Sequence, residues 1–491
     1  MAPNHVRQAV VIVHGMGEKR PLETLNGFIG AALTPDSSGK QEYYSRPENV
    51  TGTFESRRLL AKRATRETVS DELNDDPSPS TEIRAQTEFF EYHWAHLMQG
   101  NRVDDLWPTF RRLLLKSPSK LPGGLRLLWF LSWTAILVGV WMFTFGPLSE
   151  ISLTGKDTLD ESLTTIFGSG FTVAAVSYLL SRLLPGWLAS SFVDVVRYLD
   201  TSPRSYEVRR KIRKGMVELL TSLHDAEIRG RPRYQRIVVV AHSLGAYIAY
   251  DGITYLWGRR QYEASPKIGS PELRGLLELE QAASTVAAAC KATEQQVARY
   301  QSAQRDLWRG IRTQGNSWRI TDLITVGTPL AFADVLYTKN RKHFDARVDR
   351  RELATCPPQN EEEPRNNINR TDRFYTYALK FGRTRRRVLY AGAPFAVVRW
   401  TNLWFPARWG IFGDWFGGPL APLFGNGIRD VPVKGNRTDS AGRPKRLYRS
   451  RFVPAYAHSL YFDFPNDTTE ESITTALRDA LALDASSWAN A

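Results

Sequence analysis

Cysteine is scarce in this sequence, where Cys290 and Cys356 are the only two among 491 residues. Two cysteines provide no disulfide framework, as is typical of a protein in a reducing compartment. The sequence has no group of histidines and cysteines at metal-ligand spacing, no Gly-x-Gly-x-x-Gly turn and no Walker loop. We therefore expect no metal, and nucleotide chemistry or another cofactor is not indicated.

No internal repeat is visible in the sequence, and we expect no signal peptide. The first apolar run, residues 9–13, is too short for the hydrophobic part of a signal peptide. With 491 residues, of which 42% are hydrophobic, the chain is long enough to bury a large core. The composition is compatible with one elaborated domain or with two.

Acidic residues are outnumbered by basic ones, 51 against 65, which gives a formal net charge of +14. Such a balance can indicate nucleic-acid binding, but no nucleic-acid-binding module is recognisable. Many of the basic residues flank apolar segments, where attraction to anionic lipid headgroups explains them more simply. For the dense run at residues 383–387, a solvated basic face is an equally good explanation. The sequence therefore favours a membrane over a nucleic acid as partner.

The most informative segment is residues 236–245, Arg-Ile-Val-Val-Val-Ala-His-Ser-Leu-Gly. A β-branched run here breaks into a small-x-Ser-x-Gly turn, the sequence form of a nucleophile elbow. The elbow holds a serine hydroxyl out of the backbone on a strained turn, and small residues such as Ala241 and Gly245 let the chain turn that tightly. Ser243 is therefore the predicted nucleophile, and a chance match in another strand-loop-helix is the alternative for the pentapeptide alone.

A second apolar run, at residues 8–13, ends in His14-Gly15. Acyl transfer needs two backbone N–H donors for the oxyanion, one after the nucleophile and one in a loop that follows a central strand. Leu244 and Met16 are the predicted donors, and Gly15 permits the close approach. Alone, His14 and Gly15 would indicate an ordinary turn with a structural histidine, but beside an elbow they favour an oxyanion loop.

The candidate acid and base lie late in the chain. Residues 320–330 predict another buried strand, and residues 395–405 predict a strand that leads into Asp414. His458 follows in a turn-like setting, so that Ser243, Asp414 and His458 occur in the order that α/β-hydrolases use. Asp414 would orient the imidazole, and His458 would take the proton of Ser243 and return it to the leaving group. Asp430 is the alternative acid, although residues 427–433 themselves predict the next strand.

The other histidines fit the base less well. His242 is expected to point away from the site and to act as a packing residue. The remaining ones lack a strand-end context or come too early in the chain, namely His5, His224, His93, His96 and His343.

These motifs together resemble the lipase and serine-esterase branch of the α/β-hydrolases, which includes the glycosylphosphatidylinositol inositol-deacylases. The resemblance rests on HG-M-G, AHSLG, VGTPL, W-x-N-x-W-x-P followed by GD-x-x-GGPL, and a late H-S-x-Y. It is greatest to membrane-attached bacterial α/β-hydrolases of undefined substrate, with the same Tyr-x-Trp-Ala strand at residues 92–95. It implies an α/β-hydrolase fold, a mostly parallel central sheet flanked by helices. Residues 40–80, 100–215, 255–315 and 340–392 are left outside it.

Two long segments carry almost no charge. The predicted spans are residues 127–148 and 162–184, and about 20 apolar residues are enough to cross a bilayer. We predict a transmembrane hairpin within residues 121–190. A lid made of two apolar helices is the alternative, because lids also expose apolar faces.

The placement of charged residues around the two segments favours a transmembrane hairpin over a lid. Basic residues precede the first span and follow the second, whereas the loop between the spans holds Glu150, Asp157, Asp160 and Glu161 against Lys156 alone. By the positive-inside rule, both flanks lie in the cytoplasm of a bacterial-type inner membrane. The flanks, residues 1–120 and 191–491, are the two predicted parts of the hydrolase domain.

The rest of the chain gives coarser predictions. Residues 35–80 read as a polar excursion from the sheet, residues 83–95 as its re-entry and residues 206–224 as an amphipathic helix. A helical insertion is predicted at residues 260–315, as a cap over the site or an oligomer contact, and residues 340–392 resemble a surface loop. The expected function is that of a membrane-anchored serine hydrolase acting on carboxylic esters, most plausibly lipid acyl esters. The alternative is a hydrolase-derived membrane scaffold or sensor without turnover.

Overall fold

Short apolar strands form a mostly parallel sheet at the centre of the computed structural model. The structure describes residues 6–15, 22–33, 43–47, 50, 57–61, 85–98, isolated positions from 114 to 137, 198, 203–262, 274–338, 340–360, 375–381, 384–407, 413–435, 457–464, 467 and 469–483. In chain order the strands are β1 (Val6–Val13), β2 (Tyr43–Pro47), β3 (Arg57–Ala61), β4 (Ala85–Tyr92), β5 (Glu227–Ile228), β6 (Arg231–Pro232), β7 (Arg236–His242), β8 (Ile320–Val326), β9 (Thr376–Phe381), β10 (Thr384–Leu389), β11 (Arg399–Trp404) and β12 (Arg429–Pro432).

Eight of these strands pair in the order β12-β11-β8-β7-β1-β4-β3-β2. The six from β12 to β4 are parallel, whereas β3 and β2 continue the sheet in antiparallel pairing. Strands β5 with β6 and β9 with β10 form two separate antiparallel pairs. The prediction of a mostly parallel α/β sheet is confirmed.

Helices flank this sheet. They are α1 (Glu23–Ala32), α2 (Pro203–Asp225), α3 (Gly245–Arg260), α4 (Leu276–Ala288), α5 (Glu294–Thr313), α6 (Ala333–Leu336), α7 (Arg341–Asp349), α8 (Ala421–Phe424) and α9 (Ile473–Leu481). Short 3-10 helices lie at Ala95–Met98, Pro329–Phe332 and Pro394–Ala396.

Alternation along the central strands divides the core into two layers. In β1, Val11 and Val13 belong to an apolar cluster with α2, α3, α4 and α5, whereas Val10 and Ile12 belong to one with α1 and α9. Successive side chains of a strand point to opposite faces, so a strand covered on both sides needs a continuous apolar run. All four side chains are fully buried, and each contributes about 1.5–3 kcal/mol.

The C-terminal helix α9 is attached to the central strands by Arg236, at the start of β7. The buried guanidinium donates to the carbonyl oxygens of Leu481 and Ala482, each at 2.9 Å, and pairs with Asp322 at 2.6 Å. A buried charge is stable only when it is paired and hydrogen-bonded, as this one is. The arginine therefore fixes the end of α9 against the sheet.

Strand order determines where a site can form. From β1 the chain passes to β4 on one side, and it later returns to β7 on the other side of β1. In open parallel sheets, ligands bind outside the carboxyl ends of the strands at such a switch point. The carboxyl ends of β1 and β7 lead into His14 and Ser243.

The predicted transmembrane hairpin falls largely outside the described residues. Nothing of residues 162–184 is described, and of residues 127–148 only isolated positions up to 137 are, as helix. Within the part of the chain that the structure describes, no helix is long and apolar enough to cross a membrane. Strands from both flanks of this region, β4 and β7, pair with β1 in one sheet.

Two coarser predictions need correction. The polar excursion at residues 35–80 contains β2 and β3, which extend the sheet. The segment read as a surface loop, residues 340–392, contains α7 and the β9–β10 pair, whose two-residue connection is typical of a hairpin. The basic run at 383–387 lies largely on β10.

The predicted helical insertion contains α4 and α5. Their buried side chains, among them Leu279, Tyr300 and Leu307, join the apolar cluster on one face of the sheet. This burial places one face of both helices against the sheet, and their interpretation as a cap or an oligomer contact stays a prediction.

Candidate active site

Ser243 occupies a tight turn between β7 and α3. It is one of the few residues other than glycine with a positive φ, at 55°, and such a conformation is sparsely populated and strained. Its N–H donates to the Val326 carbonyl at 3.0 Å, which ties the turn to the end of β8. The sequence-predicted elbow is therefore present in the geometry of the chain.

Two glycines make room for this turn. A Cβ on Gly15 would lie 2.8 Å from the Cβ of Ser243, and one on Gly245 would lie 2.6 Å from the His14 carbonyl oxygen. Heavy atoms do not approach so closely without displacement, so any larger residue would push the β1 loop away from Ser243. Ala241, the first small position of the motif, is fully buried.

His458 and Asp414 complete a chain of hydrogen bonds that begins at Ser243. The Ser243 Oγ lies 2.8 Å from His458 Nε2, and His458 Nδ1 lies 3.0 and 3.1 Å from the two carboxylate oxygens of Asp414. The Nδ1–H donates to the carboxylate, which leaves Nε2 to accept the serine proton. All three residues are at most 4% exposed. This is the arrangement of a nucleophile, a general base and an orienting acid.

Asp414, rather than Asp430, lies against the imidazole. Burial alone would raise the pKa of Asp414, but the charge of His458 and the donors around the carboxylate hold it below its ordinary value. Asp430 instead accepts from the Leu420 and Ala421 N–H groups and from the Asn402 amide, and burial raises its pKa. Asp430 thus fastens the loop after Asp414 to β12.

The first predicted oxyanion donor, Leu244, is the residue that precedes α3. The first N–H groups of an α-helix have no intrahelical acceptor, so they remain available to an anion. The second predicted donor, Met16, lies outside the described residues, which end at Gly15 in this loop.

His14 is buried and supports the loop that is predicted to hold the oxyanion. Its Nδ1–H donates to the Gly15 carbonyl at 2.8 Å, and its Nε2 accepts the Trp94 N–H at 3.3 Å. The Trp94 indole stacks on the imidazole, with ring centroids 5.1 Å apart, and donates to the His14 carbonyl. The Tyr-x-Trp-Ala motif thus supplies a residue that holds the loop beside Ser243.

The predicted orientation of His242, away from the site, was wrong. Its Nε2–H donates to the backbone carbonyl of His458 at 2.9 Å, and the two rings lie 5.0 Å apart. The expectation came from the position of His242 in the elbow, but the side chain lies on the same face of β7 as Val238 and Val240, where the segment that carries His458 packs. His242 therefore holds the segment that carries His458.

Comparison of the chain with models of known protein families found no match, and comparisons with curated proteins and with solved structures also found none. A relationship to the α/β-hydrolases therefore rests on the motifs and on the geometry of the site. In the described ranges, no three His, Cys, Asp or Glu side chains group as metal ligands.

Proposed function

We propose that this protein is a serine hydrolase of the α/β-hydrolase type that cleaves carboxylic esters. The observation that carries the proposal is the hydrogen-bonded chain from Ser243 through His458 to Asp414. Its position at the carboxyl ends of β1 and β7, where the strand order reverses, supports the same assignment.

The proposed reaction has two steps. Ser243 Oγ attacks the ester carbonyl while His458 Nε2 takes its proton, and the alcohol leaves with that proton as the acyl-enzyme forms. Water then attacks the acyl-enzyme, giving a proton to His458, and Ser243 recovers its proton as the carboxylic acid departs. The N–H groups of Leu244 and Met16 would stabilise the oxyanion of both tetrahedral intermediates. Each donor of this kind contributes about 10²–10³ in rate.

Lipid acyl esters presented at the cytoplasmic leaflet are the proposed substrates. The support comes from the sequence, where uncharged residues 127–149 and the basic residues around the predicted hairpin indicate a membrane anchor. An anchor of this kind keeps the site beside its substrate without any binding energy from the substrate itself.

Labelling by a fluorophosphonate probe tests the nucleophile directly. We expect the full-length protein to react, because the probe needs only an activated serine, and we expect mass spectrometry to place the adduct on Ser243. Denatured protein is the control. An adduct on another serine would remove Ser243 from the proposed role.

A membrane scaffold without turnover is the second candidate, and one observation favours it: the Ser243 side chain has no exposed surface. Substrate could reach a buried hydroxyl only after movement of the residues above it. Absence of any probe reaction in native membranes, with a known serine hydrolase as positive control, would favour the scaffold over the enzyme.

Topology has a separate test in an Asp157→Cys variant. We expect a membrane-impermeant maleimide to label this cysteine in intact spheroplasts, since the loop between the predicted spans would face outward. The native Cys290 is exposed and Cys356 is buried, so Cys290 should be labelled only after lysis, which provides an internal control. Protection of position 157 until lysis would favour the lid over the hairpin.

A further inference from the structure

We propose that Tyr461 is a positioning residue that holds the Asp414 carboxylate, and through it the His458 imidazole, in register with Ser243. The inference rests on the proposed hydrolase function and adds a fourth side chain to its machinery. Tyr461 lies three residues after His458, on the same short segment, and is 1% exposed.

The phenol is hydrogen-bonded on both sides. Its hydroxyl donates to Asp414 Oδ2 at 2.7 Å, and its oxygen accepts the N–H of Phe405 at 2.9 Å. Because the backbone N–H occupies an acceptor position of the hydroxyl, the single phenol proton is directed at the carboxylate. The ring is clamped as well, stacked on Phe405 with centroids 4.3 Å apart.

The Asp414 carboxylate is thereby fixed in rotation. Oδ1 accepts the Phe416 N–H at 2.8 Å, Oδ2 accepts the Tyr461 hydroxyl, and His458 Nδ1 lies within 3.1 Å of both oxygens. One donor on each oxygen leaves a single orientation in which both are satisfied. Burial and the Asp414 charge raise the pKa of Tyr461 well above its ordinary value, so the phenol keeps its proton.

Two glycines leave space for this contact. A Cβ on Gly417 would lie 2.8 Å from Asp414 Oδ2 and 3.1 Å from the Tyr461 hydroxyl. A Cβ on Gly327, which has a φ of 54°, would lie 2.8 Å from the same carboxylate oxygen and still closer to the Tyr461 ring. Three sequence motifs therefore meet at the hydrogen bond between Tyr461 and Asp414, namely Gly-Thr-Pro, Gly-Asp-x-x-Gly and His-Ser-x-Tyr. The Gly-Thr-Pro motif contributes to the site by leaving room for this bond.

The test is Tyr461→Phe in the purified full-length protein. We expect kcat for a short-chain ester to fall by about 10- to 100-fold with KM little changed, because the lost bond is to a charged group that orients the base. Loss of the donor also leaves the Asp414 charge less compensated, which stabilises the positive charge that develops on the imidazole when it takes up a proton. The acid limb of the pH profile should therefore move to higher pH.

A matched control is Tyr250→Phe, which removes a buried hydroxyl that donates to the Ala354 carbonyl at 2.9 Å. This variant should keep the wild-type acid limb whatever its stability. If Tyr461→Phe keeps wild-type kcat, or loses activity with the acid limb unmoved, the positioning role is wrong and Tyr461 is a packing residue.

A second replacement covers the case in which Tyr461→Phe does not fold. Fluorotyrosine at position 461 is nearly isosteric and a stronger donor, so it should move the acid limb of probe labelling to lower pH. An unmoved limb would overturn the proposal. Wild type and Ser243→Ala are measured alongside: a reaction that does not depend on Ser243 refutes the hydrolase assignment and this inference together, whereas a Ser243-dependent reaction that is indifferent to position 461 refutes the inference alone.

Discussion

Ser243→Ala is expected to lower kcat for a short-chain p-nitrophenyl ester by about 10⁶-fold, the loss typical when the nucleophile of a triad is removed. Alanine keeps the turn but has no oxygen at the position 2.8 Å from His458 Nε2, so no acyl-enzyme can form. The strained φ of 55° remains, so the variant should fold like wild type. The measurement is initial-rate kinetics together with a thermal melt.

Ser459→Ala is the matched control, since Ser459 follows the base and its side chain is exposed. It should hydrolyse the ester at close to the wild-type rate. If Ser243→Ala retained more than about a hundredth of wild-type kcat after repeated purification, the nucleophile would have to be another residue, because the oxyanion donors and binding alone leave only a small residual rate.

Asp414→Asn should lower kcat by about 10⁴-fold. In the wild-type protein, the Asp414 carboxylate accepts the Nδ1–H of His458, which leaves Nε2 free to take the serine proton. An asparagine amide can present its NH₂ group to Nδ1, which stabilises the opposite tautomer and places a proton on Nε2. The imidazole then cannot act as a base, although the backbone geometry is preserved. Stopped-flow or discontinuous ester assays across pH would measure the loss.

Asp430→Asn distinguishes the two candidate acids. Asp430 binds the Leu420 and Ala421 N–H groups, so its replacement should lower thermal stability and leave kcat within a few-fold of wild type at temperatures where the variant is folded. A 10⁴-fold loss in Asp430→Asn, with Asp414→Asn nearly active, would reverse the assignment of the acid.

Sequence reasoning located the parts of the site that depend on local signals. Ser243 can be recognised from the sequence because a β-branched strand, a small-x-Ser-x-Gly turn and a following helix are contiguous in the chain. Asp414 and His458 were chosen by order and by strand context, and the structure brings both to Ser243. The mostly parallel sheet followed from apolar runs buried on both faces.

The parts of the site and the fold that were not predicted depend on residues that come together only after folding. A role for Gly327 in the site could not be predicted from the sequence. The glycine is needed because it leaves space for Asp414 and Tyr461, which are distant from it in the chain. His242 was misplaced because the elbow motif alone does not show that the segment carrying His458 packs on that face of β7. The β9–β10 pair was missed because its many charged residues indicated a surface loop. The short Gly-containing connection, which is typical of a hairpin, was given less weight.

The attachment of α9 by Arg236 bears on the synthesis of the protein. A ribosome completes the nucleophile at residue 243, but the base and its tyrosine arrive about two hundred residues later, and the segment that carries them leads into a helix whose end Arg236 binds. Until the carbonyl groups of Leu481 and Ala482 exist, the attachment of α9 to Arg236 is missing, and the segment that carries His458 is held to the sheet only by contacts such as those of His242 and Tyr461. Ser243 therefore has no base beside it until His458 has been synthesised, so the proposed nucleophile stays unactivated while the chain between these two residues is made.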